Sequence, residues 1–118
     1  MAKNHASETV EQYFHLWSQK NYQGCRAYLA DDLFFKGPFD RFHRADDLIN
    51  ALSRLGPIVK EIRETKMLSD GQNVCLLYDM VTTQVGTVPI AEVFEVRSGM
   101  IISILAFFDP RPFVPLFA

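Results

Sequence analysis

Cysteine is scarce: Cys25 and Cys75 are the only two among 118 residues. They lack ligand-like spacing and sit in apolar stretches, so buried, reduced thiols are expected rather than a disulfide framework. The three histidines, His5, His15 and His43, are scattered, and no two of them stand at helical or strand ligand spacing together with an acid. No metal and no other cofactor is expected. No basic run or basic amphipathic helix interrupts the mixed charge pattern, whose formal sum is −2. That disfavours nucleic-acid and membrane-surface binding. No apolar stretch approaches the ~20 residues that span a bilayer. The start, MAKNHASETV, has no apolar signal-peptide core. A cytoplasmic location follows by default. Linkers, low-complexity tracts and internal repeats are missing too, which leaves a single domain over residues 1–118.

What is present is aromatic and apolar. Ten phenylalanines are many for this length, and they can fill a packed core or line a cavity. Hydrophobic residues at 48% against 22% charged argue for a globular chain rather than a disordered one. Ser7 is placed to cap a first helix, whose stripe of Val10, Tyr13, Phe14 and Trp17 follows i, i+3, i+4, i+7. This helix frays near Lys20-Asn21. A short second helix is predicted over 22–29, with Cys25, Tyr28 and Leu29 inward. Asp31-Asp32 reads as a turn into a short strand, 33–36, stopped by Gly37-Pro38, and 39–43 reads as a loop. A third helix over about 44–55 carries the stripe Ala45, Leu48, Ile49, Leu52 and Leu55, and Gly56-Pro57 ends it.

From Ile58 the period shifts towards two. Strands are predicted over 59–68, with at least one wet face, and over 73–83, strongly apolar. Residues 87–108 read as a hairpin turning at Ser98-Gly99. Asp109-Pro110-Arg111-Pro112 must leave the sheet, because proline cannot donate to a ladder. Asp109 is expected to cap that turn, and the tail 113–117 to pack back on the body. Val88, Ile90, Glu92, Phe94 and Val96 share one strand face, so Glu92 is a lone carboxylate on an apolar row. On the preceding strand Val74, Leu76, Tyr78 and Met80 take the concave face, and Cys75, Leu77, Asp79 and Val81 the outer one. The order of elements defines an α+β fold, a curved antiparallel sheet with about three helices on its concave side. Three helices cannot fill a strongly curved sheet, so a pocket between the layers is expected. The apolar outer face fits a homodimer.

Four stretches spread over most of the chain carry a resemblance. They are the helix bearing Tyr13 and Trp17, NYQGCRAYLADDLFFKGP (21–38), the helix before Gly56, and AEVFEVRSGMIISILAFFDP (91–110). Together they resemble the cone-shaped NTF2-like superfamily and, within it, the SnoaL-like and ketosteroid-isomerase-like proteins. The resemblance implies a cavity for a small hydrophobic molecule. It does not settle a function, because that family hosts isomerases, cyclases, hydratases, epoxide hydrolases and non-catalytic binders. Ketosteroid isomerase uses a tyrosine and a protonated acid to stabilise an oxyanion, and an aspartate to move the proton. By its spacing to Ala30-Asp31-Asp32 the tyrosine matches Tyr13, and counting back from Ser98-Gly99 the acid matches Glu92. The aspartate falls on Gly37. The aspartate that SnoaL-type cyclases carry on the last strand falls near Ala106. Both usual bases are therefore missing.

Asp40 and His43 follow Gly37-Pro38 near the expected pocket mouth and are the candidates for the base, solvated loop residues being the other reading. The candidate catalytic set is thus Tyr13, Glu92, Asp40 and His43. Trp17, Phe35, Tyr78, Met80, Phe94 and Phe108 are expected to line the pocket. Buried Glu92 would have a raised pKa and serve as donor or general base. Otherwise it is a structural carboxyl paired with Tyr13, an arginine or backbone, or one reaching solvent at a sheet edge. Tyr13, equally, can be an ordinary core tyrosine. Two functions stay open at this point. One is an isomerase or cyclase acting on a hydrophobic carbonyl compound. The other is a non-catalytic ligand-binding or dimeric interaction module with the same cavity.

Overall fold

The computed structural model describes residues 5–117, with side chains as far as Leu116. Helix α1 (His5–Ser18) buries Val10, Tyr13, Phe14 and Trp17, the stripe its spacing dictates. The helix is already running at His5, so Ser7 is not its cap. Ser7 lies within α1 and is buried, because Ala6 and Thr9 extend the covered face back by a turn. His5 is helical and exposed. The other end of α1 does not fray but closes in a defined motif. Lys20 adopts φ 57°, its N–H donates to the Trp17 carbonyl at 2.9 Å, and the Asn21 N–H donates to the Leu16 carbonyl at 2.9 Å. Asn21 then caps α2 (Tyr22–Arg26), its side-chain oxygen accepting from the Gly24 N–H at 2.9 Å.

Helix α2 stops three residues short of the expected end, because Leu29 already belongs to β1 (Leu29–Lys36). The Asp31-Asp32 turn signal appears as a bulge inside that strand. The pairing of β1 with β6 (Met100–Phe107) shifts register between Leu29 and Phe34, and both aspartates stay exposed. Residues read as a loop contain a two-residue strand, β2 (Arg41–Phe42), which pairs with the end of β1. Helix α3 (Ala45–Leu55) follows, and a 3₁₀ turn (Gly56–Ile58) leads into β3 (Val59–Asp70), β4 (Asn73–Thr82) and β5 (Thr87–Arg97). The six strands form one sheet in the order β2-β1-β6-β5-β4-β3. It is antiparallel except where β1 runs parallel to β6. The architecture is the expected α+β one, a curved sheet with helices on one side.

The β5–β6 hairpin turns at Ser98 (φ 51°) and Gly99 (φ 76°), the two left-handed residues that a two-residue turn needs. Across the concave face, β4 buries Val74, Leu76, Tyr78 and Met80, and β5 buries Val88, Ile90, Phe94 and Val96. One arginine ties three elements together. Arg26 contacts Asp31 at 2.6 Å, Asp46 of α3 at 2.8 Å and the Leu29 carbonyl at 3.0 Å, so α2, β1 and the start of α3 are held in register. After β6 the chain leaves the sheet as expected. Asp109 accepts from the Arg111 N–H at 3.0 Å and pairs with its guanidinium at 2.7 Å. The tail forms a 3₁₀ helix (Arg111–Phe117) that buries Phe113, while the Phe117 side chain lies outside the described residues. Among the described residues no helix is long and apolar enough to cross a membrane.

Candidate functional site

Between the helices and the sheet lies a cavity of about 610 Å³. Helix α1 supplies Tyr13 and Trp17 to its wall, and α3 supplies Leu48, Leu52 and Leu55. Phe35 of β1 and Phe42 of β2 are paired residues whose rings stack at 5.6 Å, forming an aromatic side wall. Tyr78 and Met80 come from β4, Ile90 and Glu92 from β5, and Ala106 from β6. Phe39 and Asp40, in the segment before β2, meet Phe108 and Phe113 at one rim. Phe39 packs edge-on to Phe113 at 6.3 Å, and Phe108 to Phe113 at 5.5 Å.

Glu92 sits in the middle of β5, between Leu76 on β4 and Ala106 on β6. Both neighbours are buried and apolar, and the part of Glu92 that is not covered faces the cavity. Burial pushes its carboxyl up to about 7, against a smaller lowering by a hydrogen bond from the Tyr78 hydroxyl. That hydroxyl is itself held protonated, first by burial, then by the Glu92 charge and the bond to it. The Tyr13 hydroxyl is raised by burial and then by the charge of Glu92. The three groups thus form a polar island in an apolar wall. Tyr78 donates to Glu92, and Tyr13 lies in the field of the same carboxylate. Cys25, behind Tyr13, donates its thiol to the Tyr13 carbonyl at 3.7 Å and is pushed up to about 12 by burial, which makes it an inert packing group.

Of the residues expected at the site, Tyr13, Glu92, Asp40, Trp17, Phe35, Tyr78, Met80 and Phe108 do line the cavity. His43 and Phe94 do not. His43 stands just past the end of β2, in the bend before α3; Phe42 lines the cavity, while His43 packs at 5.4 Å on Phe34, which alternates with the cavity-lining Phe35 along β1. A base on that face cannot reach the cavity. Phe94 has the right parity but the wrong depth. It is fully buried and set edge-on to Tyr13 at 6.0 Å, so it supports the site from the core. Sequence reasoning missed Arg54, Gln84, Phe113 and Leu116, which also line the cavity. Arg54 lies on the flank of the α3 stripe, where a periodicity argument assigns residues to solvent. Gly37 and Ala106, the two vacated base positions, come together. A Cβ built on Gly37 would lie 3.7 Å from that of Ala106.

A six-stranded curved sheet, three helices on its concave side and a cavity with a buried acid between them define an NTF2-like protein. Over most of its length the chain matches the SnoaL-like domain family, residues 10–104, and it belongs to that family. An NTF2-like protein from Cytophaga hutchinsonii superposes with a TM-score of 0.82 at 24% identity, over 99% of this chain and 98% of that one. A provisionally assigned ketosteroid isomerase from Kribbella flavida gives 0.81 at 17% identity, over 89% and 78%. An LEH-like epoxide hydrolase from M. tuberculosis gives 0.77 at 22% identity, over 92% and 85%. At these identities the likeness is one of fold. No curated protein matches the chain.

Proposed function

We propose that the cavity binds a small hydrophobic carbonyl compound and that the protein moves a proton on it, as an isomerase or cyclase does. The observation that carries this reading is Glu92, an acid in an apolar wall with its pKa lifted to about 7 and its carboxylate held by Tyr78. A general base works best when it is poised near the operating pH. Ionised Glu92 takes the proton α to the carbonyl, and the electron pair moves onto the carbonyl oxygen as an enolate. Tyr13, the buried hydroxyl in the field of Glu92, donates to that oxygen. Return of the proton from Glu92 to another carbon completes an isomerisation. Asp40, at the rim, is the second candidate for the proton carrier.

The test is deuterium wash-in. Apolar cyclic ketones are incubated with the protein in D2O and their α-protons followed by NMR. Exchange faster than in buffer, rising with pH through about 7, is the expected result. Saturable binding with exchange at the buffer rate for every ketone would establish the second reading, a binder without chemistry. The absence of a side-chain base at Gly37 and Ala106 favours that alternative.

The outer sheet face supports a further proposal, a homodimer. Leu77, Ala91 and Phe107 lie in register across β4, β5 and β6, as do Cys75, Val93 and Leu105, and Phe107 is 58% exposed. Sedimentation equilibrium at micromolar concentration is expected to give a dimer, and Val93→Glu a monomer. A monomeric parent chain would refute it.

A further inference from the structure

Among the described residues that line the cavity, Arg54 is the one cation. It stands in the last turn of α3 and is exposed, and among the described residues it has neither an ion pair nor a hydrogen bond. Most other arginines are engaged. Arg26, Arg44, Arg63, Arg97 and Arg111 each contact a carboxylate at between 2.6 and 3.8 Å. A second polar group of the lining, the Gln84 amide, also has a donor to offer. The Thr83 N–H donates to the Ile58 carbonyl at 2.8 Å, which fastens the β4–β5 turn to the segment after α3. That bond ties Gln84, the next residue of the turn, to the segment that follows α3, the helix carrying Arg54. The lining also holds two acids, Glu92 on β5 and Asp40 in the segment before β2, next to Phe39, whose ring packs on Phe113.

We infer that the cavity selects an apolar molecule ending in a carboxylate, which Arg54 holds at the rim, with the Gln84 amide as a second donor of the lining, while the apolar body reaches inward to Glu92. The inference rests on the reading that the cavity holds an apolar ligand. It does not rest on catalysis. A planar guanidinium matches a carboxylate with two parallel hydrogen bonds, and its stem can lie along the apolar wall. The inner end of the cavity works against the reverse orientation, because ionised Glu92 repels a carboxylate brought beside it. One end of the ligand is thereby fixed at the rim and the other presented to the polar island. A ligand bound this way has a defined register against Glu92, which an apolar lining alone does not impose.

The test uses three probes with one chain length, decanoate, decan-1-ol and decylamine, titrated calorimetrically into the full chain at pH 8, where Glu92 is ionised, and at low salt. Decanoate is expected to bind about fivefold more tightly than decan-1-ol, the upper range for a solvent-exposed ion pair. Added salt should shrink that ratio. Arg54→Met, which keeps an unbranched apolar stem, is expected to bring decanoate down to the alcohol and leave the alcohol unchanged. Equal affinities for acid and alcohol would overturn the inference. So would a preference for decylamine, which would assign the rim to Asp40, or a preference for decanoate that survives Arg54→Met. Failure of all three probes to bind would overturn the ligand-binding reading as well. A carboxylate preference without any α-proton exchange would leave Arg54 in its role and remove only the chemistry.

Discussion

Replacement of Glu92 by glutamine is expected to flatten most of the pH dependence of stability between pH 5 and pH 8. The same change should lower α-proton exchange at neutral pH by about 10²–10⁴-fold, the usual contribution of a positioned general base. The sign of the stability effect follows from the direction of the shift. Burial raises Glu92 from 4.5 to about 7 in the folded protein. Below the lower value the carboxyl is neutral in both states, and folding carries no charge penalty. Between the two values the unfolded chain ionises while the folded one retains its proton, so stability falls as pH rises. Above about 7 the loss is complete. A shift of this size corresponds to about 3 kcal/mol, reduced to about 2 kcal/mol because part of the side chain faces a cavity that water can enter. For a domain of this length that is a drop of about 10 °C in melting temperature. Glutamine cannot titrate, and its carbonyl still accepts from Tyr78. Melting curves of both proteins at pH 5, 6, 7 and 8 therefore converge at the acid end and separate at the basic end, with the glutamine variant the more stable. Parallel curves would mean that Glu92 titrates as an ordinary surface carboxyl, and the proton-transfer reading would fall with it. Tyr78→Phe is the companion measurement. It removes the bond that lowers the Glu92 pKa, so the stability loss, which starts at the same unfolded-state value, should extend to higher pH.

Alternation along β5 isolated Glu92 before any coordinates were needed, because a strand's side chains have a period of two and only one polar residue occupied the inward row. The turns were legible for an equally local reason. Ser98-Gly99 and Gly86 stand where left-handed φ is required, and the observed values are 51°, 76° and 77°. What local pattern does not carry is position along an element or contact between distant ones. Phe94 and Glu92 share a face, yet α1 covers the first and leaves the second open to the cavity, which is a fact about helix placement. His43 was misplaced because β2 is two residues long, too short to show a period, and its pairing with β1 sets the side each residue faces. The parallel partnership of β1 with β6 joins segments some seventy residues apart in the chain. The Asp31-Asp32 signal was read as a turn, when the strand absorbs it as a bulge. The three-way contact of Arg26 with Asp31, Asp46 and the Leu29 carbonyl depends on the packing of α2 against α3, which no short window contains.

Phe94→Ala is the second substitution with a large expected effect, and it separates the roles of two phenylalanines that sequence reasoning had placed together. Phe94 is 0% exposed, stacked edge-on to Tyr13 and surrounded by the core. Truncation there removes a fully buried ring and leaves a void that close-packed neighbours can fill only in part, at a cost of about 3–5 kcal/mol. Phe35 is half-buried and lines the cavity, so one side of its ring already lacks partner atoms. Its truncation enlarges a space that exists and should cost about 1–2 kcal/mol. Urea unfolding at pH 6, near or below the titration of Glu92, gives both values on one scale. The two variants should also diverge in function. Phe35→Ala is expected to weaken ligand binding in a protein that still folds. Phe94→Ala, in whatever fraction remains folded, disturbs the site by releasing Tyr13 from its edge-on support. Equal destabilisation by the two substitutions would show that the boundary between core and cavity along β5 runs elsewhere. Glu92 would then lose the apolar surroundings from which its raised pKa is derived, because the same packing of α1 against β5 that seals Phe94 leaves Glu92 as the first inward side chain of that strand to face the cavity on the Tyr78 side.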